Sequence, residues 1–155
     1  MQYLLDTGVL LRLVIRSDPL HAQIRQAVRI LKDQGHQTAT LPQNIAEFWN
    51  VCTRPPTARG GMGLSIENSH HRLKLIERAI SIVADKPEVY VEWKRLLLAY
   101  RVVGVQVHDA RIAAAMAVHG IRHLMTLNSA DFARYSHITA VLPADVVAAG
   151  VRRTP

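Results

Sequence analysis

The side chains best suited to catalysis in this sequence are four carboxylates that stand beside apolar segments. They are Asp6, Glu47, Asp109 and Asp131, and the amide of Asn128 lies close to the last of them. Carboxylates combined with Asn and Thr oxygens, without Cys or His residues at ligand spacing, favour Mg²⁺ or Mn²⁺ over zinc. Clustered carboxylates repel one another, and a divalent cation reverses that repulsion and activates water for attack on a phosphodiester. The pattern therefore indicates metal-dependent cleavage of a phosphodiester bond.

Asp6 is expected at the carboxyl end of a central strand. Residues 3–5 read Tyr-Leu-Leu, so both alternating faces are apolar, which is typical of a central strand in a parallel sheet. Ligand crevices in open α/β sheets lie just beyond the carboxyl ends of the strands. A carboxylate so near the core is costly unless a cation satisfies it, so Asp6 marks the expected site.

Glu47 lies on a predicted helix that begins at Pro42 and ends near Arg54. The helix is apolar on nearly every side, which indicates burial, and its polar residues recur at three- and four-residue spacing. Asn44, Glu47, Asn50 and Arg54 therefore share one stripe. Two interpretations remain open, because Glu47 either points into the acidic site or pairs with Arg54 on an ordinary exposed stripe.

Asp109 lies in the first turn of a helix predicted over residues 107–119. The helix dipole alone favours an acid in a first turn, so the position has a purely structural interpretation. Asp109 nevertheless shares its face with Ile112, Ala113 and Met116, and this face should meet the sheet. A carboxylate at the end of a core-facing stripe favours a functional role.

Asn128 and Asp131 follow a strand predicted over residues 123–127, so they too belong at a carboxyl end of the sheet. Asn128 is a good helix cap, and Asp131 is equally compatible with a solvated acid near a helix start. Neither residue alone indicates a site.

Strands alternate with helices along the chain, and this order predicts an α/β fold with a mainly parallel sheet. Asp18 and Pro19 are favoured at a helix start and open the second predicted helix. A loop rich in Pro and Gly covers residues 55–63. The predicted strands are 3–5, 38–41, 123–127 and 138–142, and the predicted helices are 9–16, 18–33, 42–54, 65–82, 87–102, 107–119 and 144–149, with a helical turn at 131–132.

Composition predicts a single domain over residues 1–155, with a core supported by 49% hydrophobic residues. One cysteine and the lack of a signal peptide or membrane-spanning stretch favour a cytoplasmic protein. The net charge is +7, and setting the four carboxylates aside leaves 8 acidic against 19 basic side chains. A basic surface around an acidic pocket suits a polyanion such as RNA, although general solubility would explain the charge equally well.

Four segments, in this order, make the chain resemble PIN-domain ribonucleases, specifically VapC-like toxins of type II toxin–antitoxin pairs. They are Leu4-Leu5-Asp6-Thr7, the Glu47 helix followed by Thr53-Arg54-Pro55, His108-Asp109-Ala110, and Thr126-Leu127-Asn128-Ser129-Ala130-Asp131-Phe132. The resemblance implies a PIN-like three-layer α/β/α fold with a mainly parallel sheet. It also implies an Mg²⁺- or Mn²⁺-dependent endoribonuclease, silenced by a cognate antitoxin protein.

The resemblance assigns metal binding to Asp6, Glu47 and Asp109. It implies that Thr7 hydrogen-bonds near the ion and that Thr126 helps to position the cluster. Gly8 stands where many members have Asn, and Asn128 stands where the family often has a fourth acid. The fourth position is therefore open between Asn128, acting directly or through water, and Asp131.

Two arginines beside the Pro/Gly loop, Arg54 and Arg59, are the candidates for contacts with substrate phosphates. A two-fold homodimer is expected, because cyclic dimers are the commonest soluble assembly. Its interface would use apolar surface on the helices before Gly35 and after Pro87. The apolar face of the latter helix is predicted from Tyr90, Val91, Trp93, Leu97 and Leu98.

Two other functions fit the same residues. One is a PIN-like RNA-processing nuclease that has no antitoxin. The other is a non-catalytic RNA-binding domain, suggested by the neutral Asn128, although the intact Asp6, Glu47 and Asp109 argue against it.

Overall fold

The computed structural model describes residues 1–151 of the chain. Within these residues, five parallel strands form one sheet in the order β3-β2-β1-β4-β5, and helices cover both of its faces. The elements are β1 Gln2–Leu5, α1 Thr7–Val14, α2 His21–Asp33, β2 Gln37–Thr40, α3 Pro42–Thr53, α4 Ile66–Ala79, β3 Ser81–Ile82, α5 Pro87–Ala99, α6 Gln106–His119, β4 His123–Met125, α7 Ser129–Phe132, β5 Thr139–Val141 and α8 Pro143–Val151.

The central strand β1 divides the apolar interior into two cores. Leu4 and Leu5 are both fully buried, and because successive strand residues face opposite sides, each belongs to a different core. The Leu4 core is built with α5, α6 and α7, whereas the Leu5 core is built with α1, α2, α3, α4 and α8. The predicted α/β/α layering with a parallel sheet is confirmed.

One strand was not predicted from the sequence. The helix expected over residues 65–82 ends at Ala79, and Ile80 is already extended, with φ −129° and ψ 134°. Ser81 and Ile82 then pair with Ala39 and Thr40 of β2 as the edge strand β3. A strand of two residues is too short to carry an alternating pattern, so the helical pattern before it was extended across it.

The second helix starts later than the sequence predicts. Asp18 does not cap α2, which begins at His21. The Asp18 carboxylate instead accepts a hydrogen bond of 2.9 Å from the backbone N–H of Leu20 and lies 3.5 Å from Nε of Arg12. Asp18 therefore organises the turn that precedes the helix.

The apolar face of α5 was predicted only in part, since Trp93 and Leu97 pack against the core as expected but the other three predicted residues do not. Val89 and Leu96 are its buried residues, whereas Tyr90, Val91 and Leu98 are 63%, 68% and 74% exposed. Because apolar residues occur around most of this helix, the sequence offers two apolar faces and does not distinguish the one that meets α6. The helix also ends at Ala99 and not near residue 102.

Among the described residues, no helix combines the length and the apolar character that crossing a membrane requires.

Candidate active site

Asp6 is the most firmly held carboxylate at the carboxyl end of the sheet. Its backbone N–H continues the β1–β4 pairing by donating to the carbonyl of Met125 at 3.1 Å. The residue then caps α1, with Oδ1 accepting from the backbone N–H of Thr7 at 2.7 Å. Its other oxygen, Oδ2, accepts from Oγ1 of the buried Thr126 at 2.8 Å. Both carboxylate oxygens are thus fixed by the end of the strand and the start of the helix.

Thr7 links the Asp6 end of the site to Glu47. Its Oγ1 donates to Oε2 of Glu47 at 2.7 Å and accepts from Nδ2 of Asn44 at 3.1 Å. Asn44 is fully buried, and its Nδ2 also lies 3.4 Å from Oδ1 of Asp6. The chain of hydrogen bonds therefore joins β1, α1 and α3. Sequence reasoning placed Asn44 in the polar stripe but gave it no role, although a buried amide at this spacing needs partners.

Glu47 faces the acidic site. Its Oε1 accepts a hydrogen bond of 3.1 Å from Nε2 of Gln43, one helical turn earlier. Among the described residues, Glu47 and Arg54 do not form an ion pair within 4.0 Å. The interpretation in which Glu47 pairs with Arg54 on an exposed stripe is therefore wrong. The expectation that this helix is buried on nearly every side was also incorrect, because Ala46 and Asn50 are exposed beside Glu47.

Asp109 lies half-buried in the first turn of α6, opposite Glu47. Burial raises the pKa of its carboxyl from 3.8 to about 6, with further contributions from the negative charges of Asp131, Asp6 and Glu47, in that order. The nearby His108 acts in the opposite direction and is the weaker influence. A carboxyl with this pKa responds strongly to any cation placed beside it.

Asp6 experiences the same mutual repulsion. Burial raises the pKa of its carboxyl, the hydrogen bonds from Thr126 and from the Thr7 backbone lower it, and the charges of Glu47 and Asp131 raise it again. The ion pairs found within 4.0 Å in residues 1–151 involve none of these four acids. The cluster thus lacks a compensating side-chain cation in the described structure.

Asn128 and Asp131 occupy the rim, where both are exposed. The backbone N–H of Asn128 donates to Oγ1 of Thr126 at 3.1 Å, but its side chain does not cap α7. Asp131 is the residue of this pair whose charge acts on Asp6 and Asp109. The electrostatic connection to the cluster is therefore through Asp131.

A cavity of about 590 Å³ opens in front of these groups and is lined by Gln43, Ala46, Glu47, Asn50, His108 and Asp109. Arg54 and Arg59 are not among its lining residues. Arg54 ends α3 and lies beside Gly60, where an added Cβ would be 3.4 Å from Nη2 of Arg54, and Arg59 is exposed in the same loop.

The donor set fits a hard divalent cation, because it consists of carboxylate oxygens that repel one another and lack a cationic partner. Within residues 1–151, no three His, Cys, Asp or Glu side chains are already arranged closely enough to hold a metal ion. Asp6 and Glu47 accept hydrogen bonds from Thr7 and Thr126, so they are the fixed members of this donor set.

Gln43 was not predicted as a site residue. Its Nε2 donates to both Glu47 and the backbone carbonyl of His108, the latter at 3.0 Å, so it spans the gap between α3 and α6. The spacing of four residues between Gln43 and Glu47 was the available sequence signal, because side chains at this spacing are neighbours on a helix.

Comparisons with known proteins identify the fold. The chain is similar to VapBC2 from Rickettsia felis bound to a DNA fragment from its promoter, with a TM-score of 0.70 at 15% identity, covering 92% of this chain and 98% of that chain. It is similar to DNA-bound VapBC from Salmonella typhimurium, with a TM-score of 0.67 at 14% identity and the same two coverages, 92% and 98%. VapC20 from Mycobacterium tuberculosis, described as a toxin that cleaves the sarcin-ricin loop, gives 0.56 at 15% identity, with coverages of 79% and 86%. No curated protein matches the sequence.

At these identities, structural similarity shows the fold alone. The family is shown independently, since the PIN domain model matches residues 3–138 and thus contains Asp6, Glu47, Asp109 and Asp131. The family resemblance noted in the sequence is confirmed. The chain belongs to the PIN domain family.

Proposed function

We propose that this chain is a metal-dependent endoribonuclease and the toxin of a toxin–antitoxin pair. The observation that carries the proposal is the convergence of four carboxylates at the carboxyl edge of the sheet, with the pKa of Asp109 raised to about 6. Such a cluster is a costly arrangement in a protein that does not use it. Membership of a nuclease family whose members generally use divalent ions supports the same chemistry.

Asp6, Glu47 and Asp109 would hold Mg²⁺ or Mn²⁺, and Asp131, or Asn128 through water, would complete the set. When bound, the ion supplies charge stabilisation and an activated water for attack on the phosphodiester. The chain's own contribution is orientation, since Thr7 and Thr126 fix the carboxylates of Glu47 and Asp6 by hydrogen bonds of 2.7 and 2.8 Å. Asp131, exposed at the rim, is proposed as the fourth catalytic carboxylate.

RNA is the proposed substrate, and Arg54 and Arg59 are the proposed phosphate contacts. The basic excess of the chain supports a polyanionic substrate. A second cleft, of about 570 Å³, lies at the far end of α1. Its lining includes Arg16, His71 and Arg72 and no carboxylate, which also favours a polyanionic substrate. The description of the similar M. tuberculosis toxin as cleaving the sarcin-ricin loop favours RNA over DNA.

An antitoxin protein is the proposed partner, and the cytoplasm is the proposed location. Similar structures include VapBC complexes of two bacteria, which supports a partner for this chain. A segment that presents an Arg to Glu47 and Asp109 would find two carboxylates without a cationic partner in the described residues. Such a partly desolvated, charge-assisted pair would be strong.

A homodimer is proposed through α5 and the segment that follows it. Tyr90, Val91, Leu98, Val103 and Val105 are all more than 60% exposed, whereas the apolar stripe of α2 is buried against the chain's own core. The apolar stripe of α2 therefore cannot form part of the dimer interface, contrary to the expectation from the sequence. Exposed apolar side chains grouped in this way are typical of an interface. Leu98→Glu should convert the dimer to a monomer in sedimentation equilibrium, and a dimer that is unchanged would exclude this face.

The decisive experiment measures RNA cleavage and growth together. Purified chain should cleave RNA with Mg²⁺ or Mn²⁺ and stop in excess EDTA, and undiminished cleavage in EDTA would refute the metal dependence. Expression in bacteria should arrest growth, Asp6→Asn should abolish the arrest, and co-expression of the neighbouring reading frame should relieve it. Metal-dependent cleavage without growth arrest would instead support an RNA-processing nuclease.

A further inference from the structure

We propose that Gln43 is a positioning residue that sets the separation between Glu47 and Asp109. The inference rests on the proposed metal-dependent function and concerns the same site. Gln43 occupies the first turn of α3, one turn before Glu47, and its amide bonds both to α3 and to α6. It is the side chain through which the Glu47 carboxylate is tied to the helix that carries Asp109.

The hydrogen bonds determine which way the Gln43 amide points. Nε2 donates at 3.1 Å to Oε1 of Glu47 and at 3.0 Å to the carbonyl oxygen of His108, while Oε1 accepts at 3.2 Å from Nη1 of Arg111. A carboxylate and a carbonyl oxygen only accept, and a guanidinium only donates. The reversed amide would therefore place oxygen against two acceptors and NH₂ against a donor, so a single orientation satisfies all three partners.

The α6 end of this bridge is itself anchored. Arg111 reaches Oδ1 of Asp85 at 3.4 Å in addition to Gln43. Trp93 of α5 donates from Nε1 to the carbonyl oxygen of Val107 at 2.9 Å. The carbonyls of Val107 and His108 precede Asp109 directly, so the first turn of α6 is held from α5 on one side and from Gln43 on the other.

Positioning is needed here because Glu47 and Asp109 carry like charges and come from different helices. The charge of Glu47 contributes to the raised pKa of Asp109, which means that the two carboxylates repel across the cavity. A neutral donor that bonds to Glu47 and to the backbone beside Asp109 opposes their separation. Residues that orient metal ligands typically change metal affinity or activity by about 10- to 100-fold when replaced.

Gln43→Met tests the inference, since Met keeps the length of the side chain and removes its hydrogen bonds. The measurement is Mn²⁺ affinity, obtained from the rise in melting temperature on titration of chelator-treated protein. We expect the affinity to fall by about 10- to 100-fold. Metal-free melting temperature should stay within about 2 °C of wild type, and metal-free RNA affinity should not change.

Gln26→Met is the matched control, because Gln26 is an exposed glutamine in the middle of α2, away from the acidic cavity. It should leave Mn²⁺ affinity unchanged. Gln43→Asn is the second variant, in case the Met variant does not fold. Its amide is one methylene shorter and loses at least one of the two donated bonds, so the expected loss is smaller than for Met but in the same direction.

The dependence on Glu47 separates positioning from a general structural role. In a Glu47→Gln background, adding Gln43→Met should change Mn²⁺ affinity less than twofold, because the residue through which Gln43 acts has already been altered. Additive losses would overturn the inference, as would a Gln43→Met protein that binds Mn²⁺ as tightly as wild type. The latter result leaves the nuclease proposal intact, whereas wild-type protein that binds no Mn²⁺ overturns both.

Discussion

The acidic site has two halves that are held in different ways. On the side formed by β1, α1 and α3, Asp6 and Glu47 accept hydrogen bonds of 2.7–2.8 Å from Thr7 and Thr126. On the α6–α7 side, Asp109 is half-buried with a pKa of about 6, and Asp131 is exposed at the rim. Hydrogen bonds hold both carboxylates of the first half, whereas burial and neighbouring charges raise the pKa of Asp109 in the second. Under the proposed metal-dependent function, the first half would position an incoming cation and the second half would respond to it.

The largest expected effect concerns catalysis and requires both halves. Asp6→Asn and Asp109→Asn should each lower the cleavage rate by about 10³-fold. The reason is that an ion held by these carboxylates would lower the activation barrier by several kcal/mol. Single-turnover rates on a short RNA in saturating Mn²⁺ measure the effect. If Asp109→Asn retains near-normal activity while Asp6→Asn does not, the α6–α7 half is not part of the catalytic set.

The second effect is stabilisation by the ion, which should depend on the responsive half. At Mg²⁺ or Mn²⁺ concentrations about 100 times the dissociation constant, wild type should gain about 2.7 kcal/mol of unfolding free energy. For a chain of this length that corresponds to a rise in melting temperature of roughly 5–10 °C. Asp109→Asn should lose most of that rise. A variant that is stabilised as much as wild type would show that Asp109 is not a ligand.

One carboxylate from each half could be predicted from the sequence. Asp6 follows an apolar strand directly, and the position of a strand's carboxyl end follows from the alternation of strands and helices. Asp109 stands at the head of a core-facing stripe, which also identified it. Both signals depend on a few neighbouring residues, and local patterns of this kind are what a single sequence records.

The connections between the halves could not be predicted in the same way. The bond from Thr126 to Asp6 joins residues 120 positions apart, and the bond from Gln43 to the carbonyl of His108 joins residues 65 positions apart. Both depend on how elements pack, which periodicity does not specify. The same limit explains the partly misassigned face of α5, where Val89 and Val91 are equally apolar and only contact with α6 decides which is buried.

The third effect tests the first half by removing one of its hydrogen bonds. Thr126→Val keeps the shape of the side chain but leaves the Asp6 carboxylate and the N–H of Asn128 without their partner. Because Thr126 is fully buried, we expect a loss of about 1.5–3 kcal/mol in unfolding free energy, measured in denaturant.

Two controls set the scale for that loss. Thr139→Val changes an exposed threonine on β5 and should stay within about 0.5 kcal/mol of wild type. Asn128→Ala, on the responsive side, should do the same because its exposed side chain does not cap α7. An equal loss in Thr126→Val and Asn128→Ala would remove the distinction between the two halves.

The smallest effect is the dependence of stability on pH, and it belongs to the responsive half. The pKa of Asp109 is raised from 3.8 to about 6 in the folded protein, so the folded state binds more protons than the unfolded state between these values. Stability contributed by this group therefore falls as pH rises through that window and is constant above it.

In metal-free buffer at pH 7, Asp109→Asn should be more stable than wild type by about 1 kcal/mol, after allowance for solvent screening of a half-buried group. The two proteins should converge near pH 4, since wild-type Asp109 is then protonated in the folded state. Melting curves of both proteins from pH 4 to pH 7 in EDTA measure the difference. If Asp109→Asn melts below wild type at pH 7, Asp109 stabilises α6 as a helix-end acid, and repulsion from the neighbouring carboxylates is not the dominant effect at this residue.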